Sequence, residues 1–207
     1  MYIGIAGNIG SGKSAMAQLL ADKFGLRIFK ENNEENPYLL DFYADMTRWA
    51  LNLQVYLLSR RFKSTQRAIW SQDLVVQDRT IYEDVHIFAE NLRAMQIMTE
   101  RDYASYRELF DVMESFLKPP ALLVFLKASV PTLLSHIRQR GVAYEAGISR
   151  EYLTMLNNRY DAWVEAYKGD VLIVDIDNTD FVTNEADSQK VVDAIARQMG
   201  LRPQRRV

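Results

Sequence analysis

The chain has 207 residues, the size of one domain of ordinary length or slightly more, and its 48% apolar and 25% charged residues exclude the disordered, collagenous and solenoid classes. Its 25 Lys+Arg against 27 Asp+Glu give a formal net charge of -2, without the basic excess that nucleic-acid binding leaves, and the lack of cysteine excludes disulfides, zinc–thiolate sites and thiol catalysis. No apolar run approaches the roughly 20 residues of a membrane span. Tyr2–Ala6 is too short for a signal peptide and no basic region precedes it, so a cytoplasmic protein with neither a membrane nor a nucleic-acid partner is expected. In chain order, five short apolar runs read as buried strands: Tyr2–Ala6, Leu26–Phe29, Leu74–Gln77, Leu122–Leu126 and Val171–Ile176. Their near-continuous Val/Ile/Leu content suits parallel strands covered on both faces. Helical periodicity fills the intervals: Lys13–Phe24, Tyr38–Trp70 as two helices, Ile81–Leu92, Tyr103–Leu117, Val130–Gln139 behind Ser129, Arg150–Tyr167 and Asp187–Met199. Strands alternating with helices predict an α/β fold with a parallel sheet. The tail, residues 202–207, is expected to be disordered.

The first strand runs into Gly7-Asn8-Ile9-Gly10-Ser11-Gly12-Lys13-Ser14 and a helix follows, which is G-x-x-x-x-G-K-[ST] in its strand–loop–helix setting. Glycines let backbone N–H groups turn toward phosphate oxygens, and the helix N-terminus adds its positive dipole end. Lys13 is placed for the β/γ-phosphates and Ser14 for Mg²⁺. The motif indicates triphosphate binding and is silent on what receives the phosphate.

Carboxylates beyond strand ends come next, because ligands of open parallel sheets sit there. After strand two, Glu31, Glu34 and Glu35 are three candidates for a base that takes a hydroxyl proton, or form a solvated acidic loop. After strand three, Asp78 suits a Mg²⁺ partner and Arg79 suits a phosphate, unless the two cap the next helix as an ion pair. Gln54 and Arg61 share a helix face at i,i+7, and Asp84 and Phe88 share one at i,i+4. Facing one cleft they would make a hydrogen-bonding set for a flat base, with Phe88 stacking on it; otherwise Gln54 and Arg61 are solvated. Arg138 and Arg140, ahead of Gly141, could form a phosphate lid or merely end a helix. His86 and His136 have no metal-ligand spacing and read as structural, and Trp49, Trp70 and Trp163 read as core or interface.

Together these motifs resemble the deoxyribonucleoside kinases, most closely the bacterial deoxyadenosine/deoxyguanosine kinase branch, over Tyr2 to Met199. The markers are the Gly7–Ser14 loop, Glu31 before Asn36-Pro37, Gln54-Val-Tyr-Leu-Leu-Ser-Arg-Arg61-Phe, Asp78-Arg-Thr-Ile-Tyr-Glu-Asp84, the segment Arg140-Gly-Val-Ala-Tyr-Glu145, and Asp175–Val182. The resemblance implies a P-loop kinase fold: a five-stranded parallel sheet flanked by helices, one kinase domain over residues 1–207, and a lid at about 138–148. It implies transfer of the γ-phosphoryl of ATP, with Mg²⁺, to the 5′-hydroxyl of a deoxyribonucleoside, a purine and deoxyadenosine first, in nucleotide salvage. Glu31 becomes the base, with Lys13, Arg79 and Arg140 beside the phosphates and Asp78 and Ser14 near Mg²⁺. Gln54, Arg61 and Asp84 match the base-reading trio, and Phe42 and Phe88 match its apolar walls. Tyr43 and Glu145 match the grip on the sugar 3′-hydroxyl, and Asp177 lies in the loop around the donor's adenine. The family often has Arg-Gly-Arg in the lid where this chain has Arg140-Gly141-Val142, and an arginine at His136; Arg138 could compensate. A homodimer through helices Arg48–Trp70 and Ile81–Leu92 is also implied. The rivals are a monophosphate kinase of the thymidylate kinase kind, which needs an arginine near strand two where this chain is acidic, and a P-loop switch or assembly ATPase, which needs no base-sized pocket.

Overall fold

The structure, a computed structural model, describes residues 1–30, 36–145 and 147–203. Glu31, Glu34 and Glu35 and the end of the tail, 204–207, lie outside the described residues. Five strands, β1 (Tyr2–Gly7), β2 (Arg27–Phe29), β3 (Val75–Asp78), β4 (Leu122–Lys127) and β5 (Val171–Asp175), form one parallel sheet in the order β2-β3-β1-β4-β5. All five were legible as apolar runs, and β4 shows why. Leu122, Val124 and Leu126 face a cluster with Ile3, Ile5, Met16, Leu20 and Ile195. Leu123 and Phe125 face the opposite cluster with Ile87, Leu156 and Tyr160. Both faces are covered, so no polar alternation survives.

The first cluster is covered by α1 (Lys13–Phe24) and α9 (Glu185–Met199). The other face carries the helices that follow β2 and β3, together with α8 (Arg150–Glu165). Residues predicted as two helices over Tyr38–Trp70 form α2 (Leu39–Ala44) and α3 (Met46–Trp70). The break falls at Asp45, whose side chain accepts from the Arg48 N–H at 3.0 Å as an N-cap. The single helix expected over Ile81–Leu92 is three pieces: α4 (Ile81–Glu83), a π-helical segment (Asp84–Ala89) and α5 (Glu90–Ala94). A π-turn widens the period, so Asp84 and Phe88 stand closer to one line than an α-helix would set them. α6 (Glu100–Glu114), α7 (Val130–Arg140), a 3₁₀ turn (Ala143–Glu145) and α8 (Arg150–Glu165) complete the described helices. Among the described residues no helix is long and apolar enough to cross a membrane.

Candidate active site

The sheet order places β1 at the centre, with the carboxyl ends of β1 and β3 side by side. Ile5 pairs with Asp78, and the Arg79 N–H donates to the Ile5 carbonyl at 3.0 Å. The phosphate loop therefore leaves β1 next to the acid that ends β3. Gly12, at φ 92, turns the loop into α1, a conformation that a side chain resists. Gly10 is required for a second reason. A Cβ there would lie 2.9 Å from the Leu133 carbonyl oxygen and 2.9 Å from Ile137 Cγ1, so the loop apex is seated directly on α7.

The loop's side chains divide by task. Lys13 Nζ donates to the Asn8 carbonyl at 2.8 Å, curling over its own loop. Asn8 turns away and donates to the Leu153 carbonyl at 3.0 Å and to Asn157 Oδ1 at 2.7 Å, which fastens the loop to α8. Ser14 Oγ donates to Asp78 Oδ2 at 2.5 Å, while Asp78 Oδ1 is buried with no hydrogen-bond partner among the described residues. A hydroxyl and a half-satisfied carboxylate at the phosphate end are the donor set that Mg²⁺ takes alongside phosphate oxygens.

From this loop a cavity of about 370 Å³ runs to α2, α3 and the π-helical segment. Lys13, Ser14, Asp78, Arg79 and Arg140 line one end; Phe42, Tyr43, Gln54, Arg61, Asp84, Phe88 and Glu145 line the rest. Gln54, 3% exposed, carries an Oε1 with no hydrogen-bond partner among the described residues, and Arg61 is ion-paired with the fully buried Asp84. An unsatisfied buried amide beside a fixed charge pair is costly unless a ligand completes it. Phe88 lies under Arg79, whose guanidinium is 4.7 Å from the ring centroid. Arg79 has φ 67, a left-handed backbone that costs a non-glycine residue about 1–2 kcal/mol.

Glu145 and Arg140 meet each other: the guanidinium donates to Glu145 Oε2 at 2.6 and 3.1 Å. Tyr43 stacks on Tyr144 across the cavity, centroids 5.8 Å apart and rings 23° from parallel. Burial first, then Tyr152 and Glu145, push the Tyr43 phenol well above its ordinary value. Burial holds Tyr152 up to about 12, against the opposing Arg79 charge. Both hydroxyls therefore keep their protons and can donate.

A second cavity, about 660 Å³, opens on the other side of the loop and includes Gly10, His136, Arg140, Asp177 and Phe181. Asp177 accepts from the Ser129 N–H at 3.1 Å and from its hydroxyl at 3.1 Å, tying the segment after β5 to the start of α7. Hydrogen bonds from Thr132 first, and then from Ser129, hold its carboxyl below the ordinary value.

Two expectations need adjustment. Arg138 lines neither cavity and is exposed. It sits two residues from both His136 and Arg140, so helical rotation turns it to the far side of α7, where it cannot stand in for a missing lid arginine. His136, read as structural, lies at the loop: its Nδ1 is 2.8 Å from the Gly10 carbonyl oxygen, and since that oxygen only accepts, Nδ1 carries the proton. The sequence reading also missed Tyr144, Tyr152 and Glu83. Tyr144 adjoins Glu145 and was reachable by position. Tyr152 looks like any core aromatic on a helix. Glu83 follows Thr80 by three residues, a capping-box spacing that the structure realises in full.

Residues 3–199 match the deoxynucleoside kinase family. The chain is 36% identical over 197 residues to a deoxyadenosine/deoxycytidine kinase of Bacillus subtilis, covering 94% of this chain and 91% of that one. It is 30% identical over 195 residues to a deoxyguanosine kinase of the same organism, covering 92% and 93%. Among solved structures it superposes on a deoxyadenosine kinase from M. mycoides with products dCMP and dCDP at a TM-score of 0.85 and 28% identity, over 95% of this chain and all of that one. The same kinase with bound dATP gives a TM-score of 0.83 at 28% identity over 94% and 99%. A family match over nearly the full length, on a sheet and phosphate loop of this geometry, means that the chain belongs to the deoxynucleoside kinase family.

Proposed function

We propose that this protein transfers the γ-phosphoryl of ATP to the 5′-hydroxyl of a deoxyribonucleoside, a purine with deoxyadenosine first, in nucleotide salvage. One observation carries the reading: a single cavity joins the phosphate loop at Lys13 and Ser14 to the polar set Gln54, Arg61 and Asp84, walled by Phe42 and Phe88. Relatives named for adenine, guanine and cytosine nucleosides support a base with an exocyclic amino group or a purine frame.

In this reading Lys13, Arg79 and Arg140 offset the charge that spreads over the transferring group, where positioning and electrostatics make up nearly all of the catalysis. Ser14 and Asp78 would hold Mg²⁺, which would supply positive charge against the phosphate oxygens. Tyr43 and Glu145 hold the sugar 3′-hydroxyl, and residues about 138–148 act as the lid. In the structure Arg140 and Glu145 pair with each other, so substrates must compete for both. The donor's adenine occupies the second cavity beside Asp177. Glu31 accepts the 5′-hydroxyl proton; this rests on the sequence, since the residue lies outside those described. We further propose a cytoplasmic homodimer. Of the two helices expected to build it, the stretch from Ile81 already buries Ile81, Val85, Ile87, Ala89 and Leu92 within its own chain, while α3 keeps Val55 and Trp70 exposed.

Initial rates on the four deoxynucleosides with ATP and Mg²⁺ test the activity. Deoxyadenosine is expected to lead; turnover only on thymidine monophosphate would favour a monophosphate kinase, and turnover on none would favour a switch ATPase. Glu31→Gln should lower the rate about 10²–10⁴-fold with little change in nucleoside binding. Near-normal turnover there, with Glu34→Gln inactive, would move the base to Glu34.

A further inference from the structure

Arg79 sits in a strained backbone beside the phosphate loop, and Glu83, so far accounted for only as a helix cap, lies within ion-pair reach of it. Glu83 is fully buried. Its Oε2 accepts from the Thr80 N–H at 2.7 Å and from the Thr80 hydroxyl at 3.2 Å. Its Oε1 accepts from the Gly7 N–H at 3.3 Å and from the Tyr160 hydroxyl at 2.8 Å. Tyr160 in turn accepts from Arg79 Nη1 at 3.2 Å, and that guanidinium nitrogen lies 3.6 Å from Glu83 Oε1.

The bonds to Thr80 are local, and a capping box accounts for the one from its N–H. The remaining contacts reach three other elements: the start of the phosphate loop on β1, α8 through Tyr160, and the Arg79 side chain. The bond to the Thr80 N–H is also a bond to the peptide that follows Arg79, so it pins the left-handed residue from its carbonyl side. Burial, then the Glu83 carboxylate, raise the Tyr160 phenol far above its ordinary value. Its hydroxyl therefore stays protonated and relays one bond from arginine to carboxylate.

We propose that Glu83 and Tyr160 are positioning residues, which hold the Arg79 guanidinium in register with the phosphate loop so that it meets the transferring phosphoryl group. The inference rests on the reading of Arg79 as a phosphate-side cation. Side chains held by neighbours through more than one bond keep the geometry that phosphoryl transfer requires, and a small misplacement costs rate rather than binding.

Tyr160→Phe removes the relay while leaving every Glu83 bond to Thr80 and Gly7 in place. With the best of the four deoxynucleosides and saturating ATP, kcat should fall about 10–100-fold while both KM values and the melting temperature stay near wild type. In an Arg79→Ala background the same change should have no further effect, because there is nothing left to position. Glu83→Gln, which keeps the shape and loses the charge, should lower kcat in the same direction. The inference fails if Tyr160→Phe lowers stability but not kcat, or if its effect multiplies undiminished on top of Arg79→Ala. If Arg79→Ala alone leaves kcat untouched, the reading of Arg79 is wrong, and the positioning role falls with it.

Discussion

Arg61 and Asp84 form a buried ion pair at the far end of the cavity, with Gln54 beside them. An ionised carboxylate only accepts, so a carbonyl on the base edge leaves two acceptors facing each other without water. Replacing both Arg61 and Asp84 by small apolar residues should raise kcat/KM for thymidine relative to deoxyadenosine. Gln54→Ala should weaken all four nucleosides, since an amide can bond bidentately to any of them. An unchanged substrate order in the double variant would remove Asp84 from discrimination. Helical spacing put Gln54 with Arg61 on one face and Asp84 with Phe88 on another; grouping the three at one base was what the resemblance implied. The same rule explains Arg138, whose phase on α7 turns it outward although its charge suggested otherwise. Glu83 was readable only as a cap. Its further bonds come from Gly7 and Tyr160, which chain separation hides.

Between elements, the seam of the phosphate loop on α7 deserves a test of its own. His136 holds the Gly10 carbonyl, and the missing Cβ of Gly10 makes room for the Leu133 carbonyl and Ile137. Gly10→Ala adds a methyl against backbone at φ 83, so it should lower the melting temperature and raise KM for ATP. His136→Ala should raise KM for ATP with less effect on stability, and nucleoside KM should hold in both. If KM for ATP is unmoved in both variants, the seam is packing without function. Element existence was legible from periodicity, including two helices over Tyr38–Trp70, but the break at Asp45 was located only by the structure. The π-helical turn was not, because no residue pattern separates it from an α-helix; only the surrounding packing does.

Stability of the molecule should respond to pH through His86, which stacks on Trp163 at 6.3 Å between centroids and meets Phe110 edge-on at 5.9 Å. Burial first, then the Arg107 charge, lower its pKa below 6.5, with Asp111 and Glu90 opposing. A depressed folded value means that the unfolded chain takes up the proton more readily. The contribution is therefore complete above 6.5 and is lost as pH falls through the folded pKa. Melting temperatures between pH 7.5 and 5 should fall more steeply for wild type than for His86→Gln, given a histidine reference near about 6.5. Parallel slopes would exclude His86 as the source. At this scale the α/β class and parallel strands followed from composition and alternation, but the strand order did not. Five interchangeable apolar runs carry no label for their neighbours, and the phosphate-loop motif only marks which one is β1.

That strand order also bears on synthesis. β1 finds its neighbours far along the chain, Tyr2 beside Val75 and Ile3 beside Leu122. While a ribosome is still delivering the residues before β4, the segment that bends around phosphate has at most one wall. Non-local pairing of this kind slows folding and leaves apolar strands open to mispairing. The loop is also seated on α7, fastened to α8 and flanked by a cavity that includes Asp177. Nucleotide can therefore act as a ligand only for chains elongated past these elements, so it would stabilise the finished protein rather than the nascent one.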